Sequence, residues 1–153
     1  MELSLFEEIY ADNKLSVYKV CLALLKNRED AEDATQESFL KLYNSNRSFS
    51  TIKEYKYFLI RIGINTAKDI LRKRHRKVIF QSESLINPYA DIEIFRKVDQ
   101  LSSKLKEVIV LKYIEDMSFE EISSTLSVNP ATVRKRHERA LSILREKVNN
   151  ERT

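Results

Sequence analysis

The sequence has few of the residues that make tight turns: one glycine and two prolines in 153 positions. A β-sandwich or barrel needs many turns, and dinucleotide folds and phosphate loops need glycine where phosphate meets backbone, so composition excludes these classes. The single cysteine, Cys21, excludes an intramolecular disulfide and a cysteine-based zinc site. Two distant histidines, His75 and His137, leave little for a metal centre or a hydrolytic triad, so neither metal nor cofactor is expected. No apolar run approaches the roughly 20 residues of a membrane span, and the N-terminus has no basic-then-apolar leader. What is present is a hydrophobic fraction of 42%, enough for a core. At about 100–200 residues per domain, the length allows one ordinary domain or two small ones. A soluble, reduced, cytosolic, mostly helical protein is expected.

Charge is unevenly distributed. Residues 1–60 hold 8 basic and 10 acidic side chains, whereas residues 61–80 hold 7 and 1. Residues 81–130 hold 5 and 9, and residues 131–153 hold 7 and 3. Two basic blocks, each following an acidic stretch, suggest two places for a polyanion to dock.

Apolar spacing predicts one long or two short helices from Leu3 to about Leu25, with Ile9, Val17, Cys21 and Leu25 on the apolar side. A second helix is expected from about Asp30 to Tyr43, turning Ala31, Ala34, Phe39, Leu42 and Tyr43 inward. Residues 44–50 read as a loop, and a third helix as spanning about Ile52 to Arg76. Its basic end, RKRHRK, also suits the helix dipole. Residues 78–98 lose periodicity and read as a linker between domains, with a helical start near Asp91. Beyond them, a helix is expected over about Ser103 to Ile114. Ser118 and Glu121 form a capping box opening a short helix through Leu126, and Asn129-Pro130 starts a last helix reaching about Val148.

Three constellations carry function. The capped helix, the turn Ser127-Val128-Asn129 and the basic last helix make a helix-turn-helix, with Arg134, Lys135, Glu138 and Arg139 near the end that enters a major groove. Arginine and lysine can pair with guanine or phosphate, and glutamate can accept from cytosine. In the second helix, Asp33, Gln36, Glu37 and Leu40 share one face. No nucleophile or cleft-forming loop accompanies these carboxylates, so an enzyme is not expected. Third, Tyr55, Tyr57 and Phe58 precede Arg61, Asn65, Lys68 and Arg72, an aromatic-basic pattern suited to single-stranded nucleic acid. Phe58 itself reads as a core residue.

Together, DAEDATQESFLKLY, YFLIRIGINTAKDILRKRHRK and SFEEISSTLSVNPATVRKRHERALSILREKV resemble the short sigma factors of bacterial RNA polymerase, the extracytoplasmic-function (ECF) group. The resemblance implies an all-α protein of two small helical domains joined by a flexible linker. Residues 1–77 would be sigma region 2, residues 78–98 the linker, and residues 99–153 the region 4 helix-turn-helix. It implies that Asp33, Gln36, Glu37 and Leu40 dock on the clamp helices of the polymerase's largest subunit, with a further contact to the flap. Arg47, Ser48, Phe49, Tyr55, Arg61, Asn65, Lys68 and Arg72 would recognise and melt the −10 element as single-stranded DNA. Pro130, Thr132, Arg134, Lys135, Glu138 and Arg139 would read the duplex −35 element. An anti-sigma factor, able to hold the chain at the membrane, is also implied. Where the family usually has Trp, this chain has Phe58, and where Gly is common it has Ala131. Lys135 and Glu138 depart from common choices, so the preferred −35 sequence stays open. The alternatives are a stand-alone helix-turn-helix regulator with a dimerising N-terminal bundle and a helical enzyme or nucleic-acid-processing factor.

Overall fold

The computed structural model describes residues 1–76 and 93–152, with no strand among them. The expected linker features at residues 81–88 and near Asp91 lie outside the described residues. The chain divides into two compact units, Met1–Asn87 and Pro88–Thr153.

The first unit is built from α1 (Leu3–Leu25), α2 (Arg28–Asn44) and α3 (Ile52–Arg76), each packed on the other two. The first apolar stretch is thus one continuous helix. Lys26 ends it in the left-handed conformation (φ 55°), its N–H donating to the Leu22 carbonyl. Asn27 caps α2, its side-chain oxygen accepting from the Asp30 N–H at 3.1 Å, so this helix starts two residues earlier than expected. Arg74 ties the three helices together. Its guanidinium donates to the Leu25 carbonyl at the end of α1 and pairs with the Asp30 carboxylate near the start of α2.

Small residues let the three helices approach closely. Ala31, Ala34, Ser38 and Ala67 are fully buried, and a side chain added at Gly63 would meet Val17 Cγ1 at 3.2 Å and Cys21 Sγ at 3.4 Å. Large side chains, including Ile9, Leu25, Leu42, Leu59, Ile60 and Ile64, fill the remaining core. Tyr43, expected inside, is 43% exposed and lays its ring edge-on to Phe6 at 5.1 Å. Burial pushes the Cys21 thiol up to about 12. It stays protonated and behaves as a core residue rather than a redox sensor.

The second unit holds α4 (Glu93–Val98), α5 (Ser103–Tyr113), α6 (Phe119–Leu126) and α7 (Pro130–Arg152). Val98, Leu101, Leu105, Ile109, Ala140 and Leu144 form one buried cluster, so the turn before residue 99 packs with this unit. The capping box at α6 is present: Ser118 Oγ accepts from the Glu121 N–H (3.1 Å), and Glu121 Oε1 accepts from the Ser118 N–H (3.0 Å). Ser127 turns the chain in the left-handed region (φ 56°), and Asn129 Oδ1 accepts from the Ala131 N–H (2.8 Å) to start α7. Ser118→Ala removes one half of the box, and a loss of about 0.5–2 kcal/mol is expected from such a cap. Denaturant unfolding followed by circular dichroism measures it.

Candidate nucleic-acid and polymerase interface

Three surfaces collect the residues singled out in the sequence. On α2, Asp33, Gln36, Glu37 and Leu40 are all exposed, with the Leu40 side chain 60% accessible. Spacings of three and four residues set them in one row while Ala31, Ala34, Ser38 and Phe39 face the core. Glu37 pairs with Lys41 at 3.5 Å, and Lys41 donates to Thr66 Oγ1 of α3 at 3.0 Å, which fixes one edge of the row. Beside it, a groove of about 340 Å³ runs between α1 and α2, with Tyr10, Lys14, Leu15 and Tyr18 on one wall and Glu32 and Gln36 on the other. Leu15 and the two tyrosines give the groove an apolar floor between Lys14 and Glu32, and the exposed carboxylates of Asp33 and Glu37 lie beside it, a surface that suits an apolar partner carrying cations.

The second surface is the loop between α2 and α3 together with one side of α3. Asn46 adopts a left-handed conformation (φ 58°), and the chain then folds back so that Phe49 meets the start of α3. The Phe49 ring lies 5.0 Å from Tyr55 and 5.3 Å from Phe58, with the Arg47 guanidinium 5.2 Å from the Phe58 centroid. Phe58 is therefore a half-buried platform rather than a core plug. Tyr55, expected among the DNA-facing residues, is instead buried at 4% exposure, and its hydroxyl accepts from the Phe49 N–H at 3.1 Å. It holds the loop from below. Thr51 and Glu54 cap α3 reciprocally, and Glu54 Oε2 also accepts from the Ser50 N–H at 2.9 Å, so the end of the loop that leads into α3 is anchored.

Ser48 is exposed at the loop's tip, and Arg61, Asn65 and Arg72 are exposed along α3 with Lys68 half-buried among them. Intervals of four, three and four residues align these last four in one stripe. Arg72 also pairs with Asp69 at 2.5 Å. Arg47, Phe49, Tyr55 and Phe58 thus form one cluster, and the cationic stripe continues from it along the same helix.

The third surface belongs to α7. Val133 and Ala140 are buried, while Arg134, Lys135, Glu138 and Arg139 are exposed. Pro130 and Thr132 are half-buried at the turn, where they shape the helix start. Arg134 is tied to α6: its Nη2 donates to Glu120 Oε1 at 3.2 Å, and its guanidinium lies 5.7 Å from the Phe119 ring centroid. The sequence reading did not include His137 in this surface. Its Nε2 shares a 2.8 Å hydrogen bond with the Tyr113 hydroxyl, and its ring stacks on Tyr113 and meets Phe119 edge-on. Burial, then the Lys112 cation, hold its pKa below the ordinary histidine value, with Glu138 opposing. Its i+4 relation to Val133 was the available sign that it faces inward.

Among the described residues no group of histidine, cysteine and carboxylate side chains is arranged to hold a metal ion, and no helix is long and apolar enough to cross a membrane. Family comparisons agree with the two-unit division of surfaces. The model of sigma-70 region 2 matches residues 9–77, and that of sigma-70 region 4 matches residues 91–144. RNA polymerase sigma factor SigV of Bacillus subtilis is 30% identical over 147 residues, spanning 92% of this chain and 89% of SigV. ECF RNA polymerase sigma factor SigW of the same organism is 29% identical over 163 residues, spanning 92% and 86%.

Two solved structures share the fold. CnrH, in complex with the cytosolic domain of CnrY, aligns with a TM-score of 0.75 at 22% identity, over 97% of this chain and 90% of CnrH. The sigma factor RpoE from Bartonella quintana, in complex with the anti-sigma factor NepR, gives 0.74 at 22%, over 96% and 98%. An all-helical chain whose two units match sigma regions 2 and 4, and whose relatives along nearly its full length are sigma factors, belongs to the ECF group of RNA polymerase sigma factors, the proteins that bind core polymerase and direct it to promoters.

Proposed function

We propose a division of labour in which residues 1–77 bind core polymerase and open the −10 element, residues 99–153 read the −35 element, and residues 78–98 link them. The observation that carries this reading is the α2 row, where Leu40 stands 60% exposed in line with the carboxylates of Asp33 and Glu37. An exposed leucine in an acidic setting gains from burial against a partner whose cations meet the carboxylates. The clamp helices of the polymerase's largest subunit are that partner, with the flap a second contact. A self-sufficient DNA-binding regulator has no use for such a row.

The Arg47–Phe49–Phe58 cluster receives a base extruded from the −10 element. Extrusion costs a few kcal/mol, which stacking and phosphate contacts offset. Arg61, Asn65, Lys68 and Arg72 follow the strand's phosphates, which makes opening sensitive to salt. At the other end of the promoter, the N-terminal half of α7 enters the major groove and presents Arg134, Lys135, Glu138 and Arg139 to base edges and backbone.

The protein carries out no chemistry of its own; it positions polymerase and DNA. It acts in the cytoplasm. The complexes of CnrH with the cytosolic domain of CnrY and of RpoE with the anti-sigma factor NepR support a protein partner for this chain, an anti-sigma factor that covers the polymerase- and DNA-binding surfaces and can hold the chain at the membrane.

Arg139→Ala tests the −35 assignment. A loss of about 1–3 kcal/mol that is confined to promoters with one particular base pair is expected if Arg139 contacts a base edge. Competition binding of the holoenzyme to promoter duplexes measures it. A loss of equal size on every sequence would make Arg139 a phosphate contact.

A further inference from the structure

Arg134 is not a free side chain on the surface of α7. One edge of its guanidinium donates to Glu120 Oε1 (3.2 Å), and the group lies 5.7 Å from the Phe119 ring centroid. Phe119 is itself held, because His137 meets it edge-on at 5.1 Å and is in turn hydrogen-bonded to Tyr113. The contacts come from three helices: Tyr113 ends α5, Phe119 and Glu120 open α6, and Arg134 and His137 belong to α7. A lone arginine on a helix samples many rotamers, whereas bidentate reading of guanine requires one orientation of the guanidinium plane. A carboxylate at one edge and a ring beneath restrict that plane, and the remaining N–H groups stay available to DNA.

We propose that Glu120 and Phe119, which lie outside the recognition helix, are positioning residues that orient Arg134 and thereby set its preference for one base pair of the −35 element. This rests on the reading of Arg134 as a −35 contact. Both members of the Glu120–Arg134 pair are more than half exposed, at 67% and 53%, so the pair adds little to folding stability. Its effect is on presentation, and that separates it from a merely structural role.

The test uses the full chain assembled with core polymerase, offered a duplex library with a randomised −35 window above a constant −10 element, and sequences the retained DNA. Arg134→Ala is expected to erase the preference at one base pair and so to locate the position. Glu120→Ala and Phe119→Leu should weaken the preference at that same position by about twofold to fivefold, the scale of an exposed ion pair and a cation–π contact, and leave the other positions unchanged. Glu120→Gln, whose amide oxygen still accepts from the guanidinium, should retain the preference. If Glu120→Ala raises retention of all sequences alike with the preference intact, Glu120 acts only as a negative charge near DNA and the proposal fails, while the −35 reading of Arg134 stands. If Arg134→Ala leaves the profile unchanged, that reading fails, and the proposal fails with it.

Discussion

Reversing charge at both Asp33 and Glu37, as in D33K/E37K, should abolish stoichiometric binding to core RNA polymerase while helical content stays at its wild-type level. Both carboxylates are exposed on α2, away from Ala31, Ala34 and Ser38 of the core. Surface changes of this kind usually alter stability by no more than about 0.5 kcal/mol. The cost specific to this pair is small. Glu37 pairs with Lys41 at 3.5 Å, and replacing that attraction by two neighbouring lysines carries a penalty of roughly a few tenths of a kcal/mol. Against a cationic docking partner the outcome is different. Like-charge juxtaposition in an interface costs several kcal/mol, which lowers affinity by about a hundredfold or more. Fluorescence titration against core polymerase reads the affinity, and circular dichroism confirms the fold. Unchanged affinity in the double variant would remove α2 from the polymerase interface.

The second large effect is expected at Gly63, in the middle of α3. A Cβ there would stand 3.2 Å from Val17 Cγ1, 3.4 Å from Cys21 Sγ and 3.6 Å from Ser38 Oγ, so both neighbouring helices press on this point. Val17 is wholly buried and β-branched, which leaves it little rotamer freedom to yield. Gly63→Ala sets a displacement of Val17 by a few tenths of an ångström against a gain in helix propensity of about 1 kcal/mol, and the two should nearly cancel. Gly63→Val adds two further methyl groups with no space to receive them. Overpacking of this kind costs about 1–3 kcal/mol. Hydrogen exchange should show amide protection lowered by roughly fivefold to 150-fold throughout α1, α2 and α3, with α5, α6 and α7 unaffected. Native protection in the first unit of the valine variant would mean that the three helices do not meet at Gly63 as closely as described.

Gly63 also shows where sequence reading was incomplete. A glycine inside a long amphipathic helix costs about 1 kcal/mol relative to alanine, and that cost is a sign of close backbone approach. The scarcity of glycine was informative about folds to exclude, but its one position was equally informative about packing. Helix positions and the capping box at Ser118 were legible because they depend on local spacing and local hydrogen bonds. The face of α2 bearing Asp33, Gln36, Glu37 and Leu40 was legible for the same reason: period alone separates it from Ala31 and Ala34.

What depended on contacts between distant segments was not legible. Tyr55 sits in an aromatic-basic stretch, and nothing local says that its hydroxyl meets the Phe49 N–H beneath a folded loop. The RKRHRK run reads as a basic helix end that suits the dipole, and nothing local says that Arg74 binds the Leu25 carbonyl 49 positions earlier in the chain. Val98 lies in a stretch without periodicity, and its burial comes from a cluster that it shares with Leu101, Leu105, Ile109, Ala140 and Leu144. Arg134 and Glu120, 14 residues apart, join only because the turn at Ser127 brings α6 and α7 together.

The central claim is that this chain confers promoter specificity on polymerase, and reconstitution tests it most directly. The purified protein is mixed with core bacterial RNA polymerase, the complex is isolated, and transcription is assayed on a genomic promoter library. A stoichiometric complex that starts transcripts at a defined promoter, with DNA sequence preferences near −10 and −35, is the expected result. Failure to form that complex, together with tight, salt-sensitive duplex binding by the protein alone, would contradict the account and mark a stand-alone helix-turn-helix regulator.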